Sequence, residues 1–111
     1  MSNADIVDLQ LEAYNNLDIE RLLETYSTEI EFRELGSNQL ILKGHDEIRK
    51  HHLEELFSDN LHAEISNRIS IGNLIIDHEI VTGLKEGYAT DTICIYQLCD
   101  GLIEKIWTKN F

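Results

Sequence analysis

The sequence predicts an α+β fold in which three N-terminal helices pack on one face of a curved antiparallel sheet. Apolar residues in the first half recur with the 3.6-residue period of a helix, interrupted by one short strand. From His62 onward they alternate with the period of two that a strand shows, over four runs. Gly72-Asn73 and Asp100-Gly101 are hairpin signals between these runs. The order α, α, β, α and then a strand meander is typical of one α+β domain over residues 1–111.

Composition narrows the classes of function. The chain has 111 residues with 21 acidic and 9 basic side chains, a formal net charge of −12. This charge would repel a phosphate backbone, so nucleic acid and anionic membrane surfaces are excluded as partners. There is no apolar run near the roughly 18 residues that cross a bilayer and no signal-peptide pattern, which predicts a cytoplasmic protein. Cys94 and Cys99 lie on opposite faces of one predicted strand, which fits a reducing compartment.

The first helix is predicted over residues 3–15. Ser2 is its expected N-cap, and Asp5 completes a variant of the capping box. Tyr14 falls on the broad apolar arc of this helix and therefore points inward. It is either a core aromatic whose hydroxyl finds any partner or a hydroxyl that faces a pocket.

A second short helix begins after its cap, Asp18, and is predicted to end at residues 27 and 28, with Tyr26 on its inward face. A strand follows in which Ile30, Phe32 and Glu34 share one face. Glu34 either reaches solvent at the strand end or lies in a partly dry site, where desolvation would raise its pKa and make it a usable base.

After a loop at residues 36–38 and a short extended piece at 40–42, a third helix is predicted over residues 46–57. Ile48, Leu53, Leu56 and Phe57 form its apolar arc, and His52 falls in the middle of that arc. His52 then bonds either to a tyrosine or ligand or, as a core residue, to a backbone carbonyl.

The remaining strands are predicted over residues 62–71, 74–82, 88–99 and 102–109, with a loop at 83–87. His78 shares a face with Leu74, Ile76 and Ile80, which would make it a second pocket histidine. A metal site built from His51, His52, Glu55 and His78 is disfavoured, because adjacent helical histidines diverge and no tight ligand spacing is present. We expect no metal and no cofactor.

Three segments resemble the nuclear transport factor 2-like superfamily, and within it the SnoaL-like and steroid Δ-isomerase-like proteins. They are AYNNLDIERLLETYSTEI, LKGHDEIRKHHLEELF and YQLCDGLIEKIW. The resemblance implies a cone: a bent sheet wrapped round the helices, with a deep apolar pocket open at one end.

It also implies site residues. In ketosteroid isomerase a strand-end carboxylate moves a proton on carbon, while a tyrosine and a protonated aspartic acid donate hydrogen bonds to the oxyanion. The base position falls at Glu34, the oxyanion tyrosine at Tyr14, and the supporting tyrosines at Tyr26 and at the replacement His52. The acid position falls near Cys94, and because a thiol is a poor donor, half of that oxyanion hole is expected to be missing.

If Cys94 points inward, strand parity places Thr90, Thr92 and Tyr96 on the same wall, and the family's register adds Ile106 and Thr108. The outer face then carries Ile93, Ile95, Ile103 and Trp107, an apolar patch that predicts a homodimer formed sheet to sheet. A slip of one residue would exchange the two faces and move Trp107 into the pocket.

The sequence leaves several functions open. The first is a cofactor-free isomerase or cyclase with a carboxylate general base, acting on a small apolar ketone-like ligand. The alternatives are a module that binds such a ligand unchanged and a scaffold that works through its dimer face. An epoxide hydrolase with Arg68 between carboxylates is a further possibility that rests on one arginine.

Overall fold

The computed structural model describes residues 1–84, 87 and 89–111. Its helices are α1 (Asn3–Asn15), α2 (Ile19–Glu24) and α3 (Gly44–His51), which continues into a π-helical turn (His52–Leu56). Its strands are β1 (Tyr26–Glu34), β2 (Leu40–Lys43), β3 (His62–Ile71), β4 (Leu74–Thr82), β5 (Thr90–Cys99) and β6 (Leu102–Asn110). The predicted loop at 83–87 and the predicted strand start at 88 include residues 85, 86 and 88, which lie outside the described residues.

The six strands form one sheet in the order β2-β1-β6-β5-β4-β3. Neighbouring strands are antiparallel except β1 and β6, which run parallel, so the first strand lies in the sheet beside the last one. The helices cover one face of this sheet, and the buried core lies between the two layers. This arrangement confirms the predicted α+β fold. No helix within the described ranges is long and apolar enough to span a membrane, and the cytoplasmic location stays a prediction.

The N-terminal helices begin where their caps predict. The Ser2 hydroxyl accepts a bond from the Asp5 backbone N–H at 3.1 Å, and the Asp5 carboxylate accepts one from the Ser2 N–H at 3.0 Å. The prediction that α2 continues to residues 27 and 28 is wrong, since α2 ends at Glu24 and Tyr26 begins β1. Tyr26 is nevertheless buried, because the first residue of β1 faces the same core as Ile30.

A β-bulge in β6 corrects one predicted face. Gln97 pairs with Lys105 and Leu98 with Ile103, which leaves Glu104 without an opposite residue. The extra residue reverses the alternation, so both Ile103 and Ile106 point into the core. The prediction that Ile103 lies on the outer face with Trp107 is therefore wrong.

The third helix widens where it reaches the core. The Phe57 N–H donates to the His52 carbonyl at 2.8 Å, five residues back, which closes a π-helical turn. The wider turn changes which side chains face inward: His52 is buried, whereas Leu53, predicted on the apolar arc, is 53% exposed. Single π-helical turns are frequent at functional sites.

The inward and outward faces of strand β4 are the reverse of those predicted. Ile75, Asp77, Glu79 and Val81 point inward and are buried. His78 therefore lies on the outer face, where its Nε2 is 2.7 Å from the Asp91 carboxylate, and it is not a pocket histidine. The outer face, with Leu74, Ile76 and Ile80, is the more apolar of the two, so hydrophobicity alone predicts the wrong parity.

Candidate functional site

The helices and the sheet enclose a cavity of about 270 Å³ between α1, the π-helical turn and the inner face of the sheet. Its walls are mainly apolar, with the polar groups of a few side chains set among them. The lining residues that carry the argument below are Gln10, Tyr14, Tyr26, His52, Glu79, Cys94, Tyr96 and Ile106. This volume lies just below the range of roughly 300–1,000 Å³ that is usual for ligand pockets.

Glu79 is the carboxyl group of the cavity. It is 5% exposed, and the Tyr96 hydroxyl donates a hydrogen bond of 2.8 Å to its Oε2. Burial raises the pKa of Glu79, and the nearby Asp77 charge adds to this, while the Tyr96 hydrogen bond opposes it. Burial also raises the pKa of Tyr96 well above its ordinary value, so its hydroxyl remains a donor. A desolvated carboxyl of this kind is a candidate for general acid–base chemistry.

Asp77, two residues before Glu79 on the same face, is compensated by Arg68 of β3. The Arg68 guanidinium binds both Asp77 oxygens, at 2.7 and 2.9 Å, and also binds Asp8 of α1 at 2.7 Å. The bonds to Asp77, more than those to Asp8, raise the pKa of Arg68. Arg68 thus lies between two carboxylates, as the epoxide hydrolase hypothesis requires, but it does not line the cavity. The network ties α1 to the sheet.

Tyr14 and His52 meet on the helical side of the cavity. Their rings are in an edge-to-face contact, 6.3 Å between centroids, and Phe57 packs against both. The His52 Nδ1 is 2.9 Å from the Ile48 carbonyl oxygen, which can only accept, so Nδ1 carries the hydrogen. Burial lowers the pKa of His52 to about 4 and raises that of Tyr14. Both groups are therefore neutral at pH 7.

A second polar group lies deeper in the core. The Gln10 side-chain Nε2 donates to the Tyr26 hydroxyl at 3.2 Å, and burial raises the pKa of Tyr26. The Gln10 Oε1 is buried and has no hydrogen-bond partner among the described residues. Buried polar atoms of this kind are uncommon in folded proteins.

The wall at β5 and β6 carries residues that strand parity and the family's register predict. Cys94, Tyr96, Ile106 and Thr108 all line the cavity. The Cys94 Sγ is 3.6 Å from the Thr108 hydroxyl, and burial raises the pKa of the thiol, which keeps it protonated. A neutral thiol supplies only a weak hydrogen bond to a ligand.

Glu34 lies outside the cavity. It is exposed at the end of β1 and accepts a hydrogen bond of 2.7 Å from the Ser37 hydroxyl in the following turn. The structure therefore brings Tyr14 and His52 together but leaves Glu34 apart from them. The carboxyl group that lines the cavity is that of Glu79 and not that of Glu34. Its sequence signal is its position on the same face of β4 as the apolar residues Ile75 and Val81.

The histidines do not gather into a metal centre. His52 faces the cavity and His78 the outer surface of the sheet. Within the described part of the chain, no group of three or more His, Cys, Asp or Glu side chains is placed to hold a metal ion.

Comparison with known protein families identifies the family of this chain. Residues 7–106 match the model of the SnoaL-like domain, so the chain belongs to the SnoaL-like family. No curated protein matches the chain by sequence.

Solved structures agree on the fold. An NTF2-like protein of unknown function from Cytophaga hutchinsonii superposes with a TM-score of 0.83 at 12% identity, over 100% of this chain and 91% of that one. A ketosteroid isomerase candidate from Kribbella flavida superposes with a TM-score of 0.83 at 11% identity, over 98% of this chain and 77% of that one. TerC, crystallised with polyporic acid, superposes with a TM-score of 0.79 at 15% identity, over 98% of this chain and 91% of that one. At these identities the likeness extends to the fold alone.

Proposed function

We propose that this protein is a cofactor-free acid–base enzyme that isomerises or cyclises a compact apolar carbonyl compound. The proposal is carried by one observation: among the described residues, Glu79 is the one carboxyl that lines the apolar cavity, and burial raises its pKa. Glu79, and not Glu34, is the general base. The cavity of about 270 Å³ favours a ligand of one or two fused rings over a larger ring system, since ligand pockets commonly exceed roughly 300 Å³.

The chemistry follows from the lining groups. The Glu79 carboxylate removes a proton from the carbon beside the ligand's carbonyl group, the electron pair of that C–H bond passes to the carbonyl as an enolate, and Tyr96 holds the carboxylate in place. The Tyr14 hydroxyl has no hydrogen-bond partner among the described residues and serves as donor to the carbonyl oxygen, on which negative charge develops. Glu79, now protonated, returns the hydrogen to another carbon or assists a ring closure.

Exchange of the α-hydrogens of 2-tetralone in D2O, followed by NMR, tests this function. The wild-type protein should accelerate the exchange, and Glu79→Gln should lower the rate by roughly 10²–10⁴-fold, the usual contribution of a general base. Glu34→Gln is the matched control, because it removes an exposed carboxylate outside the cavity. Full activity in Glu79→Gln, or its loss in Glu34→Gln alone, would contradict the proposal.

A non-catalytic ligand-binding module is the second candidate. It is favoured by Cys94, because this neutral thiol stands where a second strong donor to an oxyanion is needed. Native mass spectrometry of the purified protein distinguishes the two functions. A ligand that is retained and released chemically unchanged, with no exchange of 2-tetralone, would support the binding module.

We further propose that the protein forms a homodimer through the outer face of the sheet. Ile69, Ile76, Ile95 and Trp107 lie directly opposite one another across four neighbouring strands. Ile69 is 59% exposed, and the row as a whole makes a continuous apolar stripe. Ile95→Lys places a charge in the stripe and should produce a monomer in sedimentation velocity. A monomeric wild-type protein would contradict the dimer.

If the function is that of a scaffold, Ile95→Lys abolishes it and Glu79→Gln leaves it intact.

A further inference from the structure

The hydrogen-bonding capacity of His52 is only half used. The Nδ1–H is committed to the Ile48 carbonyl within the same helix, which leaves Nε2 as a bare lone pair. The ring is 2% exposed and forms part of the cavity wall. Nε2 has no hydrogen-bond donor among the described residues. It is nevertheless not fully buried, since the fully buried side-chain N and O atoms without a partner in this part of the chain comprise Gln10 Oε1 alone. Nε2 therefore opens on the cavity as an acceptor without a donor.

The packing around the ring fixes this state. Tyr14, Phe32 and Phe57 each meet the imidazole edge to face, with centroids 5.5–6.3 Å away. The π-helical turn starts at His52, and the Phe57 N–H closes it on the His52 carbonyl. The imidazole cannot turn over without losing the bond to Ile48 and disturbing these contacts. The ring also stays uncharged at neutral pH, so Nε2 carries no proton and cannot serve as a donor.

We infer that His52 is a specificity-determining residue that accepts a hydrogen bond from a hydroxyl group of the ligand. The inference rests on the proposed function and deepens it: the substrate is a hydroxylated ketone, with its carbonyl end at Glu79 and Tyr14 and its hydroxyl at His52. A ligand without the hydroxyl leaves the buried Nε2 acceptor unpaired, and the free-energy cost of that unpaired atom makes the site select the hydroxylated ligand.

Two ligands that differ only by one hydroxyl test the inference: 2-tetralone and 6-hydroxy-2-tetralone. Isothermal titration of the wild-type protein should give tighter binding of the hydroxylated ketone by about 2–12-fold, the range for one neutral hydrogen bond. His52→Phe keeps an aromatic ring without the acceptor, and it should bind both ketones equally. His52→Asn, which can still donate to the Ile48 carbonyl, should also lose the preference and guards against misfolding of the first variant.

Nitrogen NMR supplies a readout that a structural role would not move. In the free protein the ¹⁵N signals of His52 should show a protonated Nδ1 and a bare Nε2, and the Nε2 signal should shift with 6-hydroxy-2-tetralone but not with 2-tetralone. A proton on Nε2, or equal binding of the two ketones, overturns the inference while the proposed function stands. Failure of both ketones to bind removes the inference and the proposed function together.

Discussion

Replacing Arg68 with Met tests the orientation of β4, on which the site depends. Arg68 binds both oxygens of Asp77, whose side chain is 1% exposed, and it also reaches Asp8, whose side chain is 56% exposed. Arg68→Met keeps most of the aliphatic stem but leaves the Asp77 carboxylate buried with no counter-charge. The free energy of unfolding should therefore fall.

The magnitude follows from the burial of the two partners. Removing one member of a buried ion pair costs about 3–5 kcal/mol, because the other charge is left desolvated. The lower end, about 3 kcal/mol, applies here, since the Arg68 side chain is 19% exposed and water can reach the vacated space. Asp8→Asn removes the exposed half of the same network and should cost less than about 1 kcal/mol.

Urea unfolding at pH 7, followed by circular dichroism, measures these differences. Arg68→Met should be destabilised by several times more than Asp8→Asn. Equal and small effects of the two substitutions would show that Asp77 is in solvent. In that case β4 has the opposite parity, Glu79 points away from the cavity, and the proposed chemistry loses its base.

Three further predictions concern stability. Since burial lowers the pKa of His52 from 6.5 to about 4, the wild-type protein should lose about 3 kcal/mol as the pH falls from 6.5 to 4, whereas His52→Phe should lack this loss in paired urea titrations. Glu79 has the opposite sign: burial raises its pKa, so its contribution to stability is full below about pH 4.5 and is lost as the pH rises from there through the folded-state pKa. Glu79→Gln should therefore gain stability relative to wild type as the pH is raised above 4.5, and a constant difference would refute this. Gly83→Ala should lower the melting temperature more than Gly72→Ala. Both glycines have positive φ, which costs an alanine about 1–2 kcal/mol, but only at Gly83 would the added Cβ collide with backbone, that of Asn60. Equal melting temperatures of the two variants would contradict this prediction.

Much of the fold could be predicted because its signals are local. The Ser2 capping box and the Asp100-Gly101 turn act over a few residues, and both are confirmed. The errors arose where tertiary packing decides. The bulge at Glu104 reverses the alternation of β6, and nothing in the sequence around it marks an extra residue. The π-helical turn at His52 likewise departs from the regular period on which the helical arc was based.

The site could be predicted only in part. Tyr14 and His52 line the cavity, because helical periodicity places them on the apolar arcs of α1 and α3. The inward direction of Cys94, Tyr96 and Ile106, which also line it, could be predicted only through the family resemblance, and Tyr26 lines it from β1 and not from the predicted helix. The base could not be found in this way. In β4 the outer face is the more apolar one, and the inner face carries Asp77 and Glu79, whose burial is compensated by Arg68 and Tyr96. The partners of these two carboxylates are 9 and 17 residues away in sequence, so no local pattern shows them.

A crystal structure of the protein with 2-tetralone bound tests the central claim most directly. The ketone should occupy the cavity, with the carbon beside its carbonyl facing the Glu79 carboxylate and its oxygen within hydrogen-bond distance of the Tyr14 hydroxyl. A cavity that stays without the ketone while Glu79 turns toward solvent would contradict the claim.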